Sequence, residues 1–338
     1  DAIRLWGRKW MVAAPMGDIV LSLCLTQDGP TAVAIPRFDP ENMDAIRIER
    51  MLALGGLASQ AVVALGFDGA VGTLVGDPGR GFQVLRDVRT LTQLDGAVVM
   101  AGGMRGGLAR AVHHARYHRR AGKALIDDPL HARVLSDLAL ECAAHTALAM
   151  RLASAFDMAF ERDGDHAVAR LVTPAARIYA TKTAAAYVAE VAELIGENTV
   201  LAEHPAARIL ADLVAYARWE GTTSEAALDI AAMVERDENV LREALDELGA
   251  DLGDQHADLV DEVRELGQAA GSDTSLARAF AEQLAMLAAA SAMRRNLPRV
   301  VSDAYIATRL RERFRVTYGA LDGRLDATSI LDFIVPED

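Results

Sequence analysis

The chain has 338 residues, 51% of them hydrophobic, and carries a formal net charge of −13. That length and apolar content supply real cores for more than one folding unit and exclude a disordered tail. So acidic an average excludes non-specific nucleic-acid binding by the whole surface, because a polyanion is repelled.

Cys24 and Cys142 lie in apolar segments without CxxC or Cys/His spacing. Neither a disulfide framework nor a zinc site is indicated, and a reducing cytoplasm is the natural home. No apolar run reaches the roughly 18 residues needed to span a bilayer, so no membrane partner is expected. The chain opens with "DAIRLWGRKW", which reads as strand from its first residue and shows no signal peptide. The expectation is that an N-terminal part precedes it.

From 1 to 76 the pattern is short and strand-like: "AIRLWG", "KWMVAA", "DIVLSLCLT", "TAVAIP", "AIRIER" and "SQAVVALGF". The stretches between them, "PMGD", "QDGP", "RFDPEN" and "LGGLA", have turn chemistry. Successive strands without a helical period predict an antiparallel sheet or small barrel. After "GDPGRG" the period changes, with Phe82, Leu85, Val88 and Thr92 on one helical stripe. Long antiparallel helices are predicted at 79–119, 129–161, 165–195, 205–216 and 224–234, with a further helical set over 236–318. The fold class is α+β: an antiparallel β domain (1–76), a long-helix bundle (77–235) and an added helical domain (236–338). The small residues of "AVVMAGGMRGGLARA" predict close helix packing, since glycines in an exposed helix cost up to about 1 kcal/mol each relative to alanine.

Three local patterns carry chemistry. The last turns of the first long helix and the residues after it hold His113, His114, Arg116, His118, Arg119, Arg120 and Lys123. They form either a solvated basic helix end or an anion site. In "ARWEGTTSEAALDI", Glu220 stands between Trp219 and Gly221. It is either a solvated acid near a helix that begins around Ser224, capped by Thr222 or Thr223, or a carboxylate beside an apolar ring, raised in pKa and usable as a base. Finally, residues 225–265 are acid-rich while 294–315 concentrate arginine. Such blocks form an intramolecular or intersubunit helix contact, or else Arg294, Arg295, Arg309, Arg311 and Arg313 face nucleic-acid phosphates.

Several stretches, taken in order, resemble the acyl-CoA dehydrogenase superfamily, and within it the AidB type, a flavoprotein of the adaptive response to DNA alkylation. They are "GRKWMVAAPMGDIVLSLCL", "AIRIER", "FDGAVGTLVGDPGRGF", "GKALIDDPLHARVLSDLALECAAHTALAMRLA", "RLVTPAARIYATK" and "RWEGTTSEAALDIA". The likeness covers residues 2–235 well, and 236–318 only as an added helical domain. The resemblance implies that 1–76 is the remainder of a middle β domain and 77–235 the C-terminal helical bundle of the family. It implies an FAD cofactor and an acyl-CoA thioester substrate, with Glu220 as the base that removes the α-proton while the β-hydrogen leaves as hydride to the flavin. It places Trp10 and Thr222 beside the flavin, and Arg116, His118, Arg119 and Arg120 at its diphosphate across a dimer. Gly196 falls at the family's "G-G-x-G-Y" turn. Further implied partners are electron-transfer flavoprotein, DNA for the AidB type, and further copies of the chain as a homodimer or homotetramer.

The chain departs from the family pattern at five places. The hydroxyl residue after the tryptophan is absent from Trp10-Met11-Val12-Ala13. "R-x-x-F-G" is His118-Arg119-Arg120-Ala121-Gly122, and the glutamine beyond it is Asp128. The glycine turn is Gly196-Glu197-Asn198-Thr199-Val200, and the arginine of "M-T-R-F-D" is Gln93.

Overall fold

The computed structural model describes residues 2–161, 166–219, 221–312 and 327–335. They fall into two compact units, 1–92 and 93–338.

The first unit is built on a five-stranded antiparallel sheet: β1 (Ala2–Ala13), β2 (Ile19–Thr26), β3 (Gly29–Pro36), β4 (Ile46–Met51) and β5 (Val62–Val75). β5 is its spine. β1 pairs along one edge of β5 from Ala13↔Val62 to Ala2↔Thr73. The other edge takes β4 from Met51↔Val63 to Ile46↔Phe67, then β3 from Ala34↔Thr73 to Ala32↔Val75. Where β5 changes partner, the fully buried Asn42 substitutes for a strand. Its amide donates to the carbonyls of Pro36 (2.7 Å) and Val71 (2.8 Å), and its Oδ1 accepts from the Val71 N–H (2.7 Å). Backbone groups that would otherwise be orphaned are thereby satisfied. Alternate residues, Val33, Ile35, Val63, Leu65 and Phe67 among them, fill the core of this unit. The glycines of "GDPGRG" are needed for close approach: a Cβ on Gly81 would lie 2.6 Å from the Ala32 nitrogen.

Helix α1 (Gly81–Tyr117) begins in this unit and ends in the second. The second unit continues with α2 (Pro129–Glu161), α3 (Ala167–Ile195), α4 (Pro205–Tyr216), α5 (Thr223–Arg236), α6 (Glu238–Leu252), α7 (Ala257–Ser272) and α8 (Ala277–Asn296). α9 (Arg299–Tyr305) runs on into a π-helical turn at Ile306–Arg311, and α10 (Ala327–Ile334) follows. The predicted helices up to 236 agree with these bounds to within about two residues, the usual uncertainty of helix ends. α8 is buried on every side from Leu284 to Met293, as an Ala-rich helix without a polar face must be. One apolar cluster runs from Leu94 and Leu148 through Ile230 and Leu245 to Phe280 and Tyr305. Described residues beyond 236 therefore share a core with the long helices.

A polar network lies inside this core. Arg309, on the π turn, meets Asp137 (2.5 Å) and Glu141 (2.9 Å) of α2. The Tyr179 hydroxyl donates to Glu141 Oε1 (2.5 Å) and lies 3.2 Å from the Tyr305 hydroxyl. His145 Nε2 sits 3.2 Å from the same carboxylate, and its ring stacks on Tyr179. Burial alone would raise the Glu141 carboxyl, but the Arg309 guanidinium, with His145 and Tyr179, overrides it and holds the group well below the usual carboxylate range.

Two outcomes are expected. Arg309→Met leaves two buried carboxylates without their cation and should lower stability by about 3–5 kcal/mol in urea unfolding, whereas Arg295→Met, at an exposed site, should be near neutral. Because the folded pKa of Glu141 is depressed, its contribution is complete above the unfolded carboxylate value of about 4.3 and is lost as pH falls below it. Urea midpoints between pH 6 and pH 3 should therefore fall more steeply for the parent than for Glu141→Gln, with pH values chosen about that reference.

Candidate active site

The segment around position 220 is a short link between α4 and α5. The Trp219 N–H donates to the Tyr216 carbonyl (3.0 Å), and the two rings lie parallel with centroids 6.4 Å apart. Glu220 itself lies outside the described residues. Gly221 has φ +86°, a left-handed conformation that L side chains rarely adopt, and it turns the chain into α5. Thr222, not Thr223, is the cap, and the helix begins one residue earlier than the expected Ser224. Thr222 Oγ1 accepts from the Glu225 N–H (3.2 Å), while the Glu225 carboxylate accepts from the Thr222 N–H (2.8 Å), a complete capping box.

The carbonyls on both sides of position 220 are held by one side chain. Arg177 Nη2 donates to the Trp219 carbonyl and to the Gly221 carbonyl (3.1 Å). Arg177 stands on α3 and is only 3% exposed. Sequence reasoning missed it, treating "RLVTPAARIYATK" as a helix and no more. The signal was available: an arginine set in a run of small and apolar residues at core positions must have acceptors, because a buried charge without them is too costly.

At the end of α1 the basic residues are sorted into different tasks. β6 (Arg119–Arg120) and β7 (Lys123–Ala124) form a minimal hairpin. Ala121 (φ +52°) and Gly122 (φ +84°) are both left-handed, as a type I′ turn requires. Arg119, Arg120 and His118 are exposed on it. Arg119 donates to the Gly122 carbonyl (3.2 Å) and Arg120 pairs with Asp128 (3.2 Å). Arg116 is drawn elsewhere, donating to the Val335 carbonyl (2.7 Å) just past α10. The stacked rings of His114 and His118 lie 4.8 Å apart, and burial, reinforced by His118, His113 and His131, lowers the His114 pKa.

Asp128, the acid at the family's glutamine position, faces its own helix. It accepts from His131 Nδ1 (3.1 Å) and from the N–H groups of His131 (3.2 Å) and Leu130 (3.0 Å). Those hydrogen bonds, His131 foremost, lower its pKa to about 2. It is the N-cap of α2, ahead of Pro129 at the first helical position. One oxygen of Asp128 thus serves its own helix while the other pairs with Arg120, and the exposed guanidiniums of Arg119 and Arg120 are the hairpin's donors for a diphosphate.

Gly196 is the C-cap of α3 at φ +105°, its N–H donating to the Ala192 carbonyl. Thr199 closes the turn by donating to the Gly196 carbonyl (2.7 Å). In the first unit, Trp10 is 63% exposed at a register shift of β1, where Met11 takes φ +58°. An exposed indole on a bulged strand suits a flat aromatic ligand.

In the arginine block three of the five candidate residues are engaged within the chain. Arg294 is buried and binds Asp303 (2.6 Å), His256 (2.8 Å) and Ser302 (3.2 Å). Arg309 is held by Asp137 and Glu141, and Arg311 makes a two-pronged pair with Asp258 (2.7 and 3.0 Å). The intramolecular reading describes these three. Arg295 is exposed, and Arg313 lies outside the described residues. Among the described residues no group of three or more His, Cys, Asp or Glu is arranged to hold a metal, and no helix is long and apolar enough to cross a membrane. Burial pushes the Cys142 thiol up to about 11, which removes it as a nucleophile at neutral pH.

Comparison with known proteins agrees with this architecture. Residues 79–235 match the family described as acyl-CoA dehydrogenase, C-terminal domain. The chain is 33% identical over 239 residues to the putative acyl-CoA dehydrogenase AidB of Escherichia coli K12, covering 70% of this chain and 44% of that protein. It is 26% identical to acyl-CoA dehydrogenase family member 11 of Caenorhabditis elegans, covering 71% of this chain and 41% of the relative. The chain thus spans less than half the length of either relative. Among solved structures, C. elegans ACDH-11 in complex with C11-CoA superposes with a TM-score of 0.80 at 20% identity, over all of this chain and 60% of that one. An acyl-CoA dehydrogenase from Bacillus anthracis complexed with FAD gives 0.71 at 15% identity, over 90% of this chain and 57% of that one. The β-sheet unit, the long helices over 79–235 and the AidB-like sequence together place this chain in the acyl-CoA dehydrogenase family.

Proposed function

We propose that the chain carries the base and much of the flavin site of an FAD-dependent acyl-CoA dehydrogenase-like oxidoreductase acting on the CH–CH bond beside a thioester. The observation that carries this reading is the link at 219–222, the family's base position. Its tryptophan stacks on Tyr216, its glycine is left-handed, and its two flanking carbonyls are fixed from the core.

Glu220 is the general base, taking the α-proton onto a carboxylate oxygen. An α-proton next to a thioester is weakly acidic, so the negative charge that develops on the thioester oxygen must be met by a donor as the proton leaves. The backbone N–H of residue 220 is that donor, and Gly221, lacking a Cβ, lets the backbone approach. Bound FAD supplies the acceptor for the β-hydride. Arg119 and Arg120, with His118, hold its diphosphate, and Thr222 borders its ring. Arg116, engaged at Val335, is left to the C-terminal residues. In this reading the substrate is an acyl-CoA thioester, the electron acceptor is an electron-transfer flavoprotein, and the working form is a homo-oligomer. The pairing of Arg294, Arg309 and Arg311 gives no support to DNA as a partner of that block.

Two experiments on the full-length protein test the proposal. Glu220→Gln should retain the flavin absorption of the purified protein and slow anaerobic bleaching by acyl-CoA about 1,000-fold, within the usual range for a lost general base. Bleaching at the parent rate removes Glu220 from the mechanism. Replacing Arg119 and Arg120 together by alanine should weaken FAD about 10- to 100-fold by fluorescence titration, the scale of a charged hydrogen bond. Unchanged affinity takes the diphosphate away from the hairpin.

A further inference from the structure

We propose that Arg177 is a positioning residue of the base, a buried guanidinium that grips the backbone carbonyls of the residues on either side of position 220. The inference rests on the assignment of Glu220 given above, and it adds a residue that the family pattern did not supply.

Three observations carry it. Arg177 lies 42 and 44 residues before its two acceptors, on a different helix, so the contact is a tertiary clamp and not a local turn. Both acceptors are carbonyls, of Trp219 and Gly221, and both meet the same nitrogen, Nη2. Gly221 is itself left-handed, a conformation that L side chains rarely adopt. The side chain is also supported along its stem, which packs near Gly96 of α1: a Cβ built there would lie at ordinary contact distance, 3.9 Å, from Arg177 Cγ. A guanidinium packed in this way is pre-organised and loses little freedom on binding.

The consequence for catalysis follows from peptide geometry. A trans peptide unit is rigid and planar, with its carbonyl and the following N–H on opposite edges. Anchoring the Trp219 carbonyl therefore fixes the direction of the N–H that the mechanism uses toward the thioester oxygen. A cation on the carbonyl also polarises the unit and strengthens that N–H as a donor. Arg177 touches neither substrate nor flavin in this scheme. It acts through the two carbonyls that it holds.

The test uses full-length protein and the variants Arg177→Gln, Arg177→Lys and Glu220→Gln. The first readout needs no cofactor: amide hydrogen exchange of the peptide covering 215–226. In Arg177→Gln this segment should exchange about tenfold faster, the scale of one charged hydrogen bond, while α2 and α8 keep their protection. The second readout is the pH profile of anaerobic flavin bleaching by an acyl-CoA. Arg177→Gln should lower the rate about 100-fold, as expected when a reacting group is misplaced by about 1 Å, and move the acid limb to higher pH because a cation near the base is gone. Arg177→Lys, with the charge kept but the fork lost, should fall between the two. Parent-like exchange and pH profile in Arg177→Gln overturn the proposal, as does faster exchange spread evenly over α2, α3 and α8. If Arg177→Gln does not fold, parent-like values in Arg177→Lys overturn the two-carbonyl clamp. The two assignments fail separately: parent-rate bleaching by Glu220→Gln sinks the base, whereas a dead Glu220→Gln beside a parent-like Arg177→Gln sinks the clamp alone.

Discussion

A guanidinium cannot enter a protein core without acceptors, and in the helical unit that constraint decides how the helices are joined. Arg309 ties the π turn to Asp137 and Glu141 of α2. Arg151, almost wholly buried on α2, reaches Glu247 (2.5 Å) and Asp251 (3.4 Å) of α6. Arg177 ties α3 to the link between α4 and α5. Each contact crosses between elements that the apolar core alone could let slide, because Ala-rich surfaces offer little shape to fix register. The near absence of lysine, with only Lys9, Lys123 and Lys182, fits this use. A planar fork that stays charged can serve two acceptors at once, where an ammonium is a point charge that is more readily neutralised by burial.

The same constraint explains why the acid-rich and arginine-rich blocks of the sequence are only partly each other's partners. Arg311 does pair with Asp258 of the acidic block. Arg294 takes Asp303 from its own block and His256 from the other. Arg309 ignores both and reaches back to α2. Charge runs along a chain set which signs are available; the packing of helices decides which of them meet.

Much of the fold was legible from residues alone. Helix ends at 129 and 205 carried an Asp or His followed by proline, and the start of α5 carried a complete capping box. Those signals are local, so they survive without knowledge of the fold. The division of the chain was less legible. No break in composition marks Thr92, inside α1, and nothing local shows that helices beyond 236 bury their faces in the same core as α2 and α3. At the candidate site the link at 219–222 and the basic hairpin could be found, because their residue types are unusual where they stand. Arg177 could not be assigned to position 220 from spacing, since its acceptors are backbone carbonyls and leave no trace in residue identity. Asp128 was legible as a departure from the family pattern, yet its N-cap geometry shows that the acid serves α2.

The arrangement around position 220 resolves a conflict in the proposed chemistry. A carboxylate base must stay basic, which a nearby cation opposes, yet its backbone must be held still, which a buried cation does well. Here the guanidinium meets the carbonyl oxygens of Trp219 and Gly221. The negative ends of two peptide dipoles therefore point at the charge and offset part of its field before it reaches position 220. The opposite edge of the Trp219 peptide, the N–H edge, is left more positive by the same polarisation. An anchoring cation placed on carbonyls thus strengthens the donor for the developing oxyanion, while the carbonyl dipoles offset part of its cost to the base.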